Sequence, residues 1–516
     1  MIESAKLKKH FLILFALSNI YIAATKVLAL NDLMTTNSMQ TAQRRPRPAT
    51  IAGLVLAYML VMPGVAAFAQ VATQTMPGGN FQGSVVQQKA STQVLDLGLE
   101  DAIQRGLRYN LGLILQTESA QSAGGQRLQA LQSLLPSVTG TAQDVVAQTN
   151  LQAQGLRGPG FPVVIGPYGY TDFRLTLNQA LINVSSIQNY LAARHNFQAA
   201  RLSMQDARDM VVVTVGNAYL LCLADAARVA SVQAQVNTAD ISLNQAVESH
   251  QAGVSPRLDE LRARVDDQTQ QQSLIVAQNQ YAKDKIALAR AIGLPLDQQF
   301  KLTDTAPFAV LDQIDVQQAM QQALAHRSDL QALQQQVAAA KQSKSSATME
   351  RLPQLNFEMD YGEIGVNPNN SYATLNLDGQ LTVPLLEEGK LRGDARMADA
   401  ALQQAQAQEN SLEGQIRADV QDSILDIQTA EKLVNVAQSN LELAQETLSE
   451  AQERFKAGVS DNLAVSQALS SVAQANDQYV SSLYQHNLAK LSLARALGLA
   501  QTQYKTILGG KIPWRN

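Results

Sequence analysis

The chain has 516 residues, of which 46% are hydrophobic, 16% charged and 5% aromatic, with a formal net charge of −4. A mildly acidic balance excludes the basic surface that nucleic-acid binding requires. One cysteine and five scattered histidines exclude a disulfide framework and a cysteine-based metal site, and Cys222, within an apolar helical run, reads as a small packed residue.

Two apolar runs open the chain, 11–30 and 51–69. The second has the anatomy of a secretory signal. Arg44, Arg45 and Arg47 precede the apolar stretch 51–62, and Ala67-Phe68-Ala69 forms an A-x-A site, so cleavage is expected after Ala69. The residues ahead of that signal point to translation from Met34 or Met39. The competing reading is a transmembrane anchor at 11–30, interrupted by Asn19 and Lys26. No cysteine follows Ala69 to carry a lipid. Residues 1–69 hold seven of the 40 basic and two of the 44 acidic side chains, leaving 33 against 42 and a net charge near −9.

Residues 70–94, rich in Gln, Gly, Thr and Ser, read as a flexible lead-in. One plan then follows twice, over 95–300 and 301–500, with a tail at 501–516. Ala252-Gly253-Val254-Ser255 and the closing Ala289-Arg290-Ala291-Ile292-Gly293-Leu294 return 205 residues later as Ala457-Gly458-Val459-Ser460 and Ala494-Arg495-Ala496-Leu497-Gly498-Leu499. The same offset pairs Leu258 with Leu463, Lys285 with Lys490 and Leu288 with Leu493. Solenoid repeats run to roughly 20–50 residues, so this is a duplicated half-protein.

Each half begins with helical spacing, 97–134 (broken at Gly124-Gly125) and 316–352, and each stretch ends at Leu-Pro. Proline disfavours helix in the residue before it. The period then changes from 3.6 to 2. In the second half Leu355, Phe357, Met359 and Tyr361 alternate with Asn356, Glu358, Asp360 and Gly362; after a turn at 365–370, Leu375, Leu377, Leu381 and Val383 alternate with Asn376, Asp378, Gln380 and Thr382. The first half gives a weaker strand at 138–149, a Gly- and Pro-rich loop over 155–169, and Phe173, Leu175 and Leu177 alternating with Asp172, Arg174, Thr176 and Asn178. Hairpins are thus expected at 135–182 and 353–386, four strands in all.

Long helices follow at 186–251 and 390–456. At ~1.5 Å per residue each is a rod of roughly 100 Å. Ala437, Leu441, Ala444, Leu448, Ala451 and Phe455 step by four and three, a coiled-coil seam. Gly253 and Gly458 end the rods, and shorter helices return over 256–293 and 461–498. Four amphipathic strands need lipid or a core. Open edges are not tolerated in lipid, and a closed membrane barrel needs at least ~8 strands, so three chains would supply twelve. A small soluble sandwich packed on the helices is the alternative that periodicity leaves open.

The duplicated order of helix pair, hairpin, long helix, glycine turn and returning helix resembles the TolC-type outer-membrane efflux proteins. The residues carrying the likeness are the two Leu-Pro steps, Thr382-Val383-Pro384-Leu385, the turn at 252–255, Arg454-Phe455-Lys456-Ala457-Gly458-Val459-Ser460 and the two Ala-Arg-Ala-x-Gly-Leu closings. The resemblance covers about 95–499. It implies a mainly α fold with a membrane β-barrel portion: a homotrimer whose 12-stranded barrel lies in outer-membrane lipid and continues as a periplasmic α-helical barrel. It further implies a periplasmic adaptor and an inner-membrane pump of the RND or ABC type as partners, in multidrug efflux or type I secretion, with no cofactor.

The same resemblance places adaptor contact at the tips, Ala252, Gly253, Val254 and Ser255 with Ala457, Gly458, Val459 and Ser460. Its candidate gate residues are Asp259, six residues after the first glycine, Asp461 and Phe455. Ala464 stands opposite Asp259 in the second half, and His250 stands where Phe455 does in the first. Asp259 and Asp461 also read as first-turn charges on helix dipoles, worth ~0.3–1 kcal/mol. No Gly-Lys-Ser/Thr phosphate loop, His-Glu-x-x-His or Gly-x-Ser-x-Gly occurs, so no enzyme is expected. The rival of another class is a tethered periplasmic coiled-coil adaptor or scaffold; an adaptor would need the β-rich Gly and Val segments of a lipoyl-like module, which the sequence lacks, and a scaffold of coiled coil alone would leave the four alternating strands unexplained.

Overall fold

The computed structural model describes residues 79–86, 90–156, 158–305, 308–460 and 462–512. The expected signal, its cleavage site and the anchor lie outside them, as does Asp461. A short 3-10 turn, Gly79–Gln82, is followed by β1 (Leu95–Leu97), α1 (Leu99–Tyr109), α2 (Leu111–Gln132), β2 (Ser137–Asn150), β3 (Val164–Ile182), α3 (Val184–Gln251) and α4 (Arg257–Ile292). The second round comprises β4 (Phe300–Leu302), α5 (Val316–His326), α6 (Ser328–Met349), β5 (Gln354–Gly365), β6 (Ser371–Thr382), α7 (Glu388–Lys456) and α8 (Asn462–Ala496), with α9 (Ala500–Leu508) at the end.

Two expectations are corrected. The first helical stretch breaks at Asn110, not at Gly124-Gly125, which lie inside α2. Asn110 adopts an extended conformation, and its side-chain oxygen accepts the Gly112 N–H at 3.0 Å, so a cap outweighs two glycines that the helix tolerates. The loop expected over 155–169 is half strand, because 164–169 pair with β2 across a bulge. Beyond the four hairpin strands, β1 and β4 form a short parallel pair joining the two halves.

The hairpins make one antiparallel sheet in the order β2-β3-β5-β6. Its register sorts side chains by chemistry. One face carries Leu175, Tyr361 and Leu375 opposite one another, then Leu177, Met359 and Leu377. The other carries Thr176, Asp360 and Asn376, then Asn178, Glu358 and Asp378. Leu175, Tyr361, Leu375, Leu377 and Leu381 are all more than half exposed. Among the described residues, nothing pairs with the outer edges of β2 and β6.

The rods pack by heptads. Along α7 the buried residues Ile416, Val420, Ser423, Ile427, Ala430, Val434 and Ala437 step by four and three. The expected seam from Ala437 to Phe455 continues that series, with Ala437 buried and Leu441, Ala444, Leu448, Ala451 and Phe455 half-buried. α8 packs along α7, α4 along α3, and α8 also meets α3. Ala192, Ala199 and Ala207 are buried on α3, where small side chains permit close approach to neighbouring helices. The main core lies partway along the rods, where Val211, Val215 and Tyr219 of α3 meet Leu288 and Ile292 of α4, Ile416 and Val420 of α7, and Leu491 and Leu497 of α8. The apolar stretch of α3, long enough by composition to cross a membrane, is thus largely core. Cys222 is buried there as a free thiol.

Candidate functional site

Both rods end in the same backbone device. Gly253 and Gly458 take φ of +74° and +70°, and a side chain at either would meet open space, so only the left-handed conformation demands glycine. The Gly253 N–H donates to the His250 carbonyl at 3.0 Å and the Val254 N–H to the Ser249 carbonyl at 2.9 Å. Gly458 and Val459 repeat this on Phe455 and Arg454, both at 3.0 Å. Two i−3 and i−5 pairs satisfy the orphaned carbonyls of each rod as Schellman motifs. Ala252 and Ala457 are exposed, and Val254 and Val459 are 75% and 70% exposed at the tips. Ser255 and Ser460 are half-buried where the chain turns into the return helices.

Asp259 occupies the first turn of α4 and is buried, with Arg262 Nη1 3.8 Å from its Oδ1. Asn462, opening α8, donates to the Asp259 carbonyl at 3.4 Å and is itself buried. The starts of the two return helices therefore meet, with Ala263 and Val465 buried behind them. The equivalent Ala464 is half-buried. Phe455 is half-buried in the last turn of α7. In its place on α3, His250 sets Nδ1 3.2 Å from the Ser255 carbonyl and Nε2 3.9 Å from Glu260, so a polar side chain ties the first tip to the start of its return helix.

Midway along the rods the structure assembles charges whose partners are far apart in sequence. Arg495 of α8 places Nη2 2.5 Å from Asp206 of α3 and 3.7 Å from Asp329 of α6. Arg327, between α5 and α6, reaches Asp329 at 2.6 Å and Asp419 of α7 at 2.7 Å. Burial lifts the Asp206 carboxyl to about 6 despite Arg495. Asp329 is also desolvated, yet the Arg327 hydrogen bonds hold it below the usual carboxylate range. Asp225 of α3 faces Asp284 of α4; burial and this second carboxyl push Asp225 up to about 7. Arg228, beside Asp225, also bonds Asp477 of α8 at 2.8 Å. These pairs link the return helices to the long ones. Sequence reasoning missed them, since single charges on long helices look like solvated faces; the one signal was Arg495 inside the repeated closing motif.

The duplicated lysines act as staples. Lys285 donates to the Phe300 carbonyl at 2.8 Å, fixing β4. Lys490 donates to the carbonyls of Ala309 and, at 3.0 Å, Leu508. On the polar face of the sheet, Arg174 bridges Asp172 and Asp360, joining the two hairpins. Glu358 lies directly opposite Asp378. Among the described residues no three His, Cys, Asp or Glu side chains converge to hold a metal.

Comparisons with known proteins agree with this geometry. The profile of the family described as outer membrane efflux protein matches residues 116–294 and 319–499. The pyoverdine export outer membrane protein OpmQ of Pseudomonas putida is 26% identical over 314 residues, which is 60% of this chain and 66% of that protein, a little under two thirds of its length. The outer membrane protein VceC of Vibrio cholerae superposes with a TM-score of 0.68 at 20% identity, over 78% of this chain and 96% of that one. The CmeC outer membrane channel of Campylobacter jejuni gives 0.70 at 16% identity, over 84% and 96%. These two likenesses show a shared fold, and the family profile covers more than half of the residues in two successive halves. The chain belongs to the outer membrane efflux protein family.

Proposed function

We propose that the chain is the exit duct of a tripartite efflux or secretion complex, acting as a homotrimer in the outer membrane. The observation that carries this is the sheet: apolar on one face, polar on the other, open at both edges. In lipid, unpaired edges cost several kcal/mol per group, and four strands are too few to close. Three copies joined edge to edge give twelve strands, with Leu175, Leu375 and Leu377 towards lipid and Asp360, Glu358 and Asp378 towards water. α3, α4, α7 and α8 would continue the wall through the periplasm, the two halves 95–300 and 301–500 each contributing one long and one returning helix.

The exposed tips at 252–255 and 457–460 are the adaptor contact in this reading, and an inner-membrane pump of RND or ABC type supplies the energy. Opening is a movement of the return helices away from their packing at Asp259 and Asn462, with Phe455 and Asp461 as further gate candidates. The fold and family are those of a channel, and transport through it is passive. Solute identity lies with the pump. The deciding experiment is the native mass and conductance of the chain extracted in detergent from outer membranes. Conducting trimers support the duct; a monomer in the inner membrane refutes it and restores the tethered coiled-coil scaffold.

A further inference from the structure

The two hairpins differ in length in a way the duct does not require. β5 and β6 have twelve residues each, close to the 9–11 that a tilted strand needs to cross a membrane. β2 has fourteen and β3 nineteen. The pairing of β3 with β5 stops at Thr171 and Gly365. The pairing of β2 with β3 continues from Val145–Tyr170 to Asn150–Val164, and the Leu151 N–H donates to the Val163 carbonyl at 3.0 Å. Residues 164–170 therefore run on without β5 beside them, a two-stranded ribbon about 23 Å long at ~3.3 Å per residue. It leaves the sheet at the end away from the helices, the outer mouth of the proposed duct.

Chemistry changes at the same point. The row that faces the lumen in that duct reads Asn178, Thr176, Arg174 and Asp172, then continues as Tyr170 and Tyr168, opposite Val145 and Ala147. Within 145–170 the only charged residue is Arg157. Val145, Ala147 and Tyr170 are half-buried on this inner side, and the Tyr168 hydroxyl lies 3.1 Å from Thr149 Oγ1. On the outer side Val146 is 76% exposed. A water-filled mouth favours polar side chains, and an anionic outer leaflet of lipopolysaccharide favours several cations. The two strands of the ribbon, 145–150 and 164–170, carry no charge, the Tyr168 hydroxyl is already paired with Thr149, and Val145 and Ala147 leave the rest of the inner side apolar, so the surface it matches is another uncharged ribbon of the same kind. A twelve-stranded barrel, with strands ~4.7 Å apart and tilted by 35–45°, has a radius of roughly 12 Å, so a ribbon twice that length reaches the axis.

We propose that the ribbons of three copies lean over the outer mouth and pack their inner faces, Val145, Ala147, Tyr168 and Tyr170, against one another as a lid. The lid rests on the trimeric reading above. It gives the duct a second closure, at the end opposite the glycine tips.

Cysteine cross-linking in the full-length trimer tests it. A disulfide needs Cα atoms within about 7 Å, so Tyr168→Cys should give oxidised dimers on a denaturing gel, and Val146→Cys on the outer side ~tenfold less. Tyr170→Cys is read in the same way should the first variant fold poorly. Cys222 stays silent, because it is buried with its thiol pushed up to about 12. In planar bilayers the pair Tyr168→Ser and Tyr170→Ser should raise single-channel conductance about twofold, by wetting an apolar constriction. Equal cross-linking at 146 and 168, or none at 168 and 170 in protein that is trimeric and conducts, overturns the lid alone. A wild-type chain that is monomeric and does not conduct overturns the duct and the lid together.

Discussion

Arg495→Met removes the cation that compensates Asp206. The Arg495 side chain is 17% exposed and that of Asp206 24%, so solvent screens the pair little. Asp329 keeps Arg327 at 2.6 Å after the change, whereas among the described residues Asp206 has no second cation within ion-pair distance. Breaking a buried pair from one side costs ~3–5 kcal/mol; the remaining solvent at Asp206 places the expectation near ~3. Burial holds the Asp206 carboxyl at about 6, above its ordinary 3.8, with Arg495 opposing the rise, and the variant lifts it further. A folded-state value above the unfolded one means that the native state binds the proton more tightly, so stability is fully present below the unfolded value and lost as pH rises through the folded one. The deficit of Arg495→Met should therefore shrink from near neutral pH to near pH 5, opposite to the behaviour of an ordinary salt-bridged aspartate. Adding Asp206→Asn removes the stranded charge and should recover at least about half of the loss at neutral pH. Proteolysis of the solubilised protein across a urea series, at both pH values, reads these differences. A loss under about 0.5 kcal/mol for Arg495→Met, or a double variant as weak as the single one, would refute the reasoning.

Other consequences can be tested in the same way. Gly458→Ala meets open space and should cost only the left-handed strain, ~1 kcal/mol, whereas Gly498→Ala, at φ +69°, also drives a Cβ to within 2.9 Å of the His326 and Arg327 backbone and should cost ~2–4 kcal/mol; equal urea midpoints would contradict this. Asp259→Arg puts a cation beside Arg262 where α4 and α8 meet, and should raise the leak conductance of the closed channel. Unchanged conductance and antibiotic sensitivity would leave Asp259 the role of a helix-dipole charge. His486 is fully buried against Phe308, and burial lowers its imidazole to about 4. Its folded value lies below the unfolded 6.5, so stability should fall as pH drops from 6.5 towards 4, by up to ~3 kcal/mol, and His486→Leu should flatten that slope. An unflattened slope would place the acid sensitivity elsewhere.

What the sequence disclosed was what local physics determines. A left-handed residue at a helix end calls for glycine, and Gly253 and Gly458 could be placed by eye. A seam stepping by four and three calls for packing, and the series read from Ala437 to Phe455 extends back to Ile416 without a change of step. Alternation found the strands of the second hairpin. It failed over 155–169, where Gly and Pro concealed a paired ribbon, because strand pairing depends on the partner and not on the segment itself. It failed again at Asn110, where one side-chain cap overrode two glycines in α2.

Burial was the larger omission. Arg290 and Arg495 stand at the same place in the same six-residue motif, yet Arg290 is exposed and Arg495 lies among carboxylates from two other helices, α3 and α6. Duplication fixes where a residue sits on its own helix, and the other half decides what surrounds it. The gate candidates follow the same logic. Asp259 is buried because Asn462 and Val465 of the second half close over the start of α4, and its counterpart is the small, neutral Ala464. A ring built from Asp259 in three copies would thus carry one carboxylate per chain rather than two. Charge at the tip would alternate around the pore with apolar surface, and reversing Asp259 while leaving Ala464 untouched is the change that reads this asymmetry directly.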